Sequence, residues 1–171
     1  MNGHTNKAPS GIQPAPRALL FGYGNPGRGD DALGPLVIEH IGAQHFPHVS
    51  CLTDMQLLIE HTDDLAGFDQ AIFVDADMSC DEPFEWSAVT ATRDDSYTSH
   101  ALTPAALLFV YQQVYQQPGP ACFLLRVRGY RFALGDGLSQ PASHNLQAAV
   151  AHLQTWLSAP VAPSLTDTQH A

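Results

Sequence analysis

Carboxylates recur just beyond short apolar runs in this sequence, and that placement is its clearest sign of chemistry. Asp30 and Asp31 close the glycine-rich turn after Leu19, Leu20 and Phe21; Asp54 follows residues 49–53; Asp75 and Asp77 follow residues 70–74. Unpaired carboxylates gathered at one edge repel each other and lose hydration, and a bound cation relieves both costs. Asp31 and Asp75 are the first candidates for ligands. His100, in S-Y-T-S-H, adds an imidazole from the next connection. Two oxygens and one nitrogen suit a divalent transition ion such as nickel or zinc better than magnesium, and three ligands leave positions open for water or a substrate group. An attacking water has several possible activators: the metal could polarise a carbonyl or acidify the water, or a carboxylate such as Asp30 could take its proton. Glu39 and Asp77 are candidates for supporting groups.

The elements that must position these residues alternate. Leu19–Phe21 reads as a buried strand, followed by a helix from Asp31 to about His45 with Leu33, Val37 and Ile41 on one face. A second strand from Val49 ends at Asp54, and a helix is expected from Met55 to about Ala66. Gln70 to Val74 is a third strand ending at Asp75, and Glu85 to Ala91 a fourth. Thr103-Pro104 starts a helix that runs to about Gln117, because the hydroxyl caps and proline is tolerated in the first turn. Cys122 to Arg128 is the fifth strand. Ser139 or Pro141 begins a last helix, with Leu146, Val150, Leu153 and Leu157 at helical spacing, stopped by Pro160. Strands separated by helices predict an α/β three-layer sandwich: a mostly parallel, twisted five-stranded sheet covered on both faces. In such sheets the ligand sits beyond the carboxyl ends of the strands, where their order reverses. An aspartate at a strand end has a plainer use as a helix cap, open here to Asp31 and Asp54.

Length and composition bound the rest. The chain has 171 residues, enough for one domain with its own core. We expect tails at 1–16 and 159–171 around a single domain at 17–158. Seventeen acids against seven Lys and Arg give a formal charge of −10, which argues against nucleic acid, whose binding needs basic neutralisation. No apolar run approaches the ~20 residues that cross a bilayer, and the N-terminus lacks the apolar core of a secretory signal. Cys51, Cys80 and Cys122 suit neither a disulfide framework nor a zinc knuckle, and we expect buried free thiols in a cytoplasmic protein. The lack of coiled-coil heptads favours a monomer.

Several familiar chemistries lack their signatures. Gly22, Gly24 and Gly27 satisfy G-x-G-x-x-G, yet Asp30 and Asp31 would set two negative charges where a pyrophosphate needs bare amides. A dinucleotide-binding oxidoreductase is therefore a minor alternative. There is no G-x-S-x-G elbow and no H-E-x-x-H helix. His40, His45, His48, His61, His144, His152 and His170 show no recurrent metal spacing.

Three motifs together, G-Y-G-N-P-G-R-G-D-D-A-L-G, F-V-D-A-D and S-H-A-L-T-P-A-A-L-L, resemble the endopeptidases that mature the large subunit of nickel-iron hydrogenases. Their order and spacing match over most of the chain, from about Arg17 to Leu157. The resemblance implies a metal site at Asp31, Asp75 and His100, the set already chosen from the residues. It also implies removal of a C-terminal peptide from the large-subunit precursor after nickel insertion. Nickel, then, is the ion carried by the precursor, and zinc or another divalent ion could substitute in isolated protein. R-G-Y-R-F-A-L-G-D-G-L-S, residues 128–139, is similar to the branch serving soluble NAD-linked bidirectional hydrogenases. Position 31 is Asp where several members have Glu, and Ala32 stands where many have Gly. A non-proteolytic nickel-binding assembly chaperone using the same ligands is the other alternative.

Overall fold

The computed structural model describes residues 14–94 and 102–159. The expected tails fall largely on residues 1–13 and 160–171, outside the described residues, as does His100. The elements are β1 (Ala18–Tyr23), α1 (Leu33–Gly42), β2 (Val49–Asp54), β3 (Gln70–Asp77), β4 (Phe84–Val89), α2 (Pro104–Tyr115), β5 (Ala121–Arg128) and α3 (Gln140–Ser158). They form one sheet in the order β2-β1-β3-β5-β4. β1, β2, β3 and β5 run parallel, and β4 pairs antiparallel with β5 at the edge.

Two-residue periodicity divides the core. Leu20, Ile72, Val74, Leu125 and Val127 point to one face and pack with Val37 and Ile41 of α1 and Leu146 and Leu153 of α3. Leu19, Phe21, Tyr23, Ala71 and Phe73 point to the other, against Leu107, Leu108 and Tyr111 of α2. Strands buried on both sides read as continuous apolar runs, as these do. The result is the expected three-layer α/β sandwich. Thr103 and Ser139 cap α2 and α3 by accepting from the Ala106 and Ala142 N–H groups.

Two segments differ from expectation. The first helix begins as a short 3-10 turn, Gly29–Ala32, before α1 proper. The stretch after β2 forms a 3-10 segment over Ile59–Leu65 in place of an α-helix from Met55. Its polar side chains bond locally: Thr62 Oγ1 donates to the Ile59 carbonyl, and His61 Nδ1 accepts from the Leu58 N–H. Such bonds compete with the regular helical ladder. Cys51 is exposed while Cys80 and Cys122 are buried, because β2 is an edge strand with little cover. Among the described residues no helix is long and apolar enough to cross a membrane.

Candidate functional site

Strand order reverses between β1 and β3, since the chain leaves β1 to build β2 on one side and β3 on the other. The crevice at the carboxyl ends of these two strands is where such a sheet holds a ligand. Tyr23 ends β1, Asp75 lies near the end of β3, and the turn at 24–32 carries Asp30 and Asp31 over the gap between them. Gly24 has φ of +145°, and a Cβ there would collide with the Asp31 carbonyl. Only glycine lets the turn fold this tightly.

The adjacent aspartates have opposite fates. Asp30 is fully buried. Its Oδ2 accepts from the Tyr130 N–H (2.8 Å), the Arg131 N–H (3.0 Å) and Ser139 Oγ (2.7 Å), and Oδ1 accepts from the Ser139 N–H (2.7 Å). Burial pushes the Asp30 carboxyl up, but the bonds from Ser139, Tyr130 and Arg131 outweigh it and the net shift is downward. This carboxylate ties the β5–α3 connection to the glycine turn. A base needs access to its proton, so the expectation that Asp30 could activate water is corrected.

Asp31 is half-buried, and its Oδ2 accepts from the Asn25 N–H (2.9 Å). It does not cap α1, which has no side-chain cap. The same bond occupies an amide that a phosphate in this turn would need, and so weighs against the dinucleotide alternative.

Asp75 is acted on by Asp31. Burial first, and the charge of Asp31 second, push its carboxyl up to about 7; Asp77 adds to the rise, while the Ala76 amide and the Tyr23 hydroxyl oppose it. None of these groups is cationic. Tyr23 is buried, and burial first and the nearby charge of Asp75 second push its hydroxyl well above its ordinary range. Two acids are thus held close enough to repel, in the arrangement that a divalent ion would relieve.

The other candidates are otherwise engaged. Asp77 Oδ1 accepts from the Ser79 N–H, Ser79 Oγ and the Cys80 N–H, and Oδ2 pairs with Arg126 at 3.0 Å. Burial raises its carboxyl, but the bonds from Ser79, Cys80 and Arg126 prevail and hold it at about 2. Asp54 Oδ1 accepts from the Met55 N–H, and Oδ2 lies 3.2 Å from His61 Nε2. Since His61 Nδ1 is itself an acceptor, Nε2 carries the hydrogen. Glu39 is exposed on the second half of α1. Sequence reasoning placed Asp31 and Asp75 at one edge but missed Tyr23, whose place at a strand end beside Asp75 was its only signal. Among the described residues no group of three or more His, Cys, Asp or Glu forms a metal cluster. The third expected ligand, His100, lies outside them.

No family model matches this sequence, and no curated protein matches it. Solved structures do match the fold. The NiFe hydrogenase maturation protease HycI from Thermococcus kodakarensis is 21% identical with a TM-score of 0.66, covering 84% of this chain and 93% of its own. The hydrogenase maturating endopeptidase HybD from E. coli is 20% identical with a TM-score of 0.64, covering 82% and 91%. An endopeptidase from Escherichia coli known from its solution structure is 23% identical with a TM-score of 0.61, covering 80% and 89%. The chain therefore has, over most of its length, the fold of hydrogenase maturation endopeptidases.

Proposed function

We propose that this protein is an endopeptidase that removes the C-terminal extension from the precursor of a nickel-iron hydrogenase large subunit once nickel is in place. The observation that carries this reading is the convergence of Asp31 and Asp75 at the switch point of this fold, with no cation among the described residues that act on Asp75. Asp30, Asp54 and Asp77 are held in local bonds, which leaves Asp31 and Asp75 as the carboxylates suited to meet a ligand. With His100 they would grip nickel that belongs to the substrate. When gripped, that ion supplies Lewis acidity beside the bond to be cut. A precursor without nickel would lose its main contact with the site, so the ion itself would report that the substrate is ready. Selectivity would then rest on a state of the partner as well as on its sequence.

The test is mass measurement of a large-subunit precursor incubated with this protein, with and without nickel. Loss of one discrete C-terminal peptide, only from the nickel-loaded precursor, is expected. Asp31→Asn, Asp75→Asn and His100→Ala should each slow it by at least about tenfold, the usual scale for disturbing a metal-site ligand or its support. Processing at the normal rate by all three variants overturns the assignment. Nickel uptake with the precursor left at full length would point to the assembly chaperone.

A further inference from the structure

The connection from β5 to α3, residues 129–139, contains no helix or strand, yet it is fastened to the glycine turn along its length. The Asp30 carboxylate takes the amides of Tyr130, Arg131 and Ser139. The Arg131 carbonyl accepts from the Asp30 N–H (2.7 Å), the Asp136 carbonyl accepts from the Gly29 N–H (3.0 Å), and the Gly135 N–H donates to the Gly27 carbonyl (2.8 Å). Arg28 Nε donates to the Phe132 carbonyl at 3.2 Å. Within the connection the Asp136 N–H donates to the Ala133 carbonyl (3.2 Å), and Gly135 has φ of +86°. This is a β-turn with Leu134 and Gly135 at its apex, glycine holding the left-handed place.

Leu134 is 79% exposed, more than any other large apolar side chain among the described residues. A leucine exposed on a loose loop would be commonplace. This one stands on a backbone tied on both sides, at Phe132 and Gly135, and nothing in the turn calls for an apolar side chain at its position. Its Cδ1 lies 4.0 Å from the place a Cβ on Gly27 would take. Gly27 donates its N–H to Asn25 Oδ1, and Asn25 donates its own N–H to Asp31. The leucine thus leans on the turn that holds a carboxylate of the candidate site. Met78, the first residue beyond β3, is 58% exposed at the same carboxyl edge of the sheet. Apolar groups held in place before contact lose little freedom when a partner covers them.

We propose that Leu134 is an apolar docking contact for the precursor protein, seated against an apolar patch beside the ion that the precursor presents to Asp31 and Asp75. The proposal rests on the endopeptidase reading above, in which a folded precursor has to approach this edge, and its test separates the two. Nickel-loaded large-subunit precursor is incubated with the full chain, Leu134→Glu, Leu134→Met and Val114→Glu, and cleavage is followed by mass. Binding of each to immobilised precursor and thermal unfolding are measured in parallel. Val114 is 60% exposed near the end of α2, which leads into the amino end of β5, the edge away from the site. Leu134→Glu should raise KM and the dissociation constant by at least about tenfold, because a charge replaces apolar burial, with kcat and unfolding temperature near those of the parent. Leu134→Met should restore binding, and Val114→Glu should match the parent. Parental KM in Leu134→Glu, or an equal rise in Val114→Glu, overturns the proposal. A parental dimer in sedimentation that Leu134→Glu dissolves also overturns it, since a second copy would then cover the leucine. If the parent binds the precursor without cutting it, the endopeptidase reading fails and the dissociation constants alone judge Leu134; if the parent does not bind it, both fail.

Discussion

Replacing Asp30 by Asn tests the division of labour between the two adjacent aspartates. The carboxylate accepts four hydrogen bonds in full burial. An amide whose oxygen takes the place of Oδ2 keeps Tyr130, Arg131 and Ser139 Oγ as partners, but turns its NH2 toward the Ser139 N–H. The opposite rotation turns the NH2 toward the Tyr130 and Arg131 N–H groups and loses both of those bonds. The cheaper rotation leaves two buried donors facing each other, the new NH2 and the Ser139 N–H, and strips charge from three remaining bonds, so the sum is at least about 3–5 kcal/mol. Against the ~5–15 kcal/mol that holds a domain folded, this is a large fraction. Denaturant unfolding at neutral pH should therefore show a clear fall in midpoint. Asp31→Asn, one residue away, should stay within about 1 kcal/mol of the parent, because it loses charge on one bond from Asn25 while relieving its repulsion of Asp75. The dependence on pH has a definite sign. The folded carboxyl of Asp30 lies below its ordinary value, so its contribution is complete above the unfolded pKa, near 4, and is lost as pH falls through the folded one. The gap between parent and Asp30→Asn must narrow in acid. Equal stability of the two at neutral pH, or a gap that stays constant into strong acid, would refute the clamp.

Asp75 carries the opposite sign. Its folded carboxyl is raised to about 7, so ionisation opposes folding, and stability falls as pH rises from the unfolded value through 7. Asp75→Asn should therefore raise the unfolding free energy at pH 8 by roughly 1–3 kcal/mol and leave it nearly unchanged below pH 4; a loss of stability at pH 8 would contradict the repulsion. Gly24→Ala should cost about 2–3 kcal/mol or more, from left-handed strain and a forced collision with the Asp31 carbonyl. Thermal unfolding checks this, and an unchanged midpoint would show that the turn can open without penalty.

The sequence by itself determined the alternation of strands and helices, the two-faced burial of the strands, and the delivery of Asp31 and Asp75 to one edge of the sheet. These follow from periodicity and from parallel topology, which turns every strand-end residue the same way. Local pattern also located the caps at Thr103 and Ser139, since a capping hydroxyl acts within three residues. Tertiary structure decided which aspartate was which. The sequence preferred Asp31 as a ligand but left Asp30 open as a base, and what separates them physically is a connection about a hundred residues away, whose amides at Tyr130, Arg131 and Ser139 claim Asp30 and leave Asp31. The 3-10 course of Ile59–Leu65 and the exposure of Cys51 depended likewise on local side-chain competition and on an edge position that periodicity does not report. Tyr23 stood in the sequence only as a residue of the glycine-rich turn. Only the pairing of β1 beside β3 set it next to Asp75, because lateral neighbours depend on strand order and hydrophobic pattern records only which face is buried.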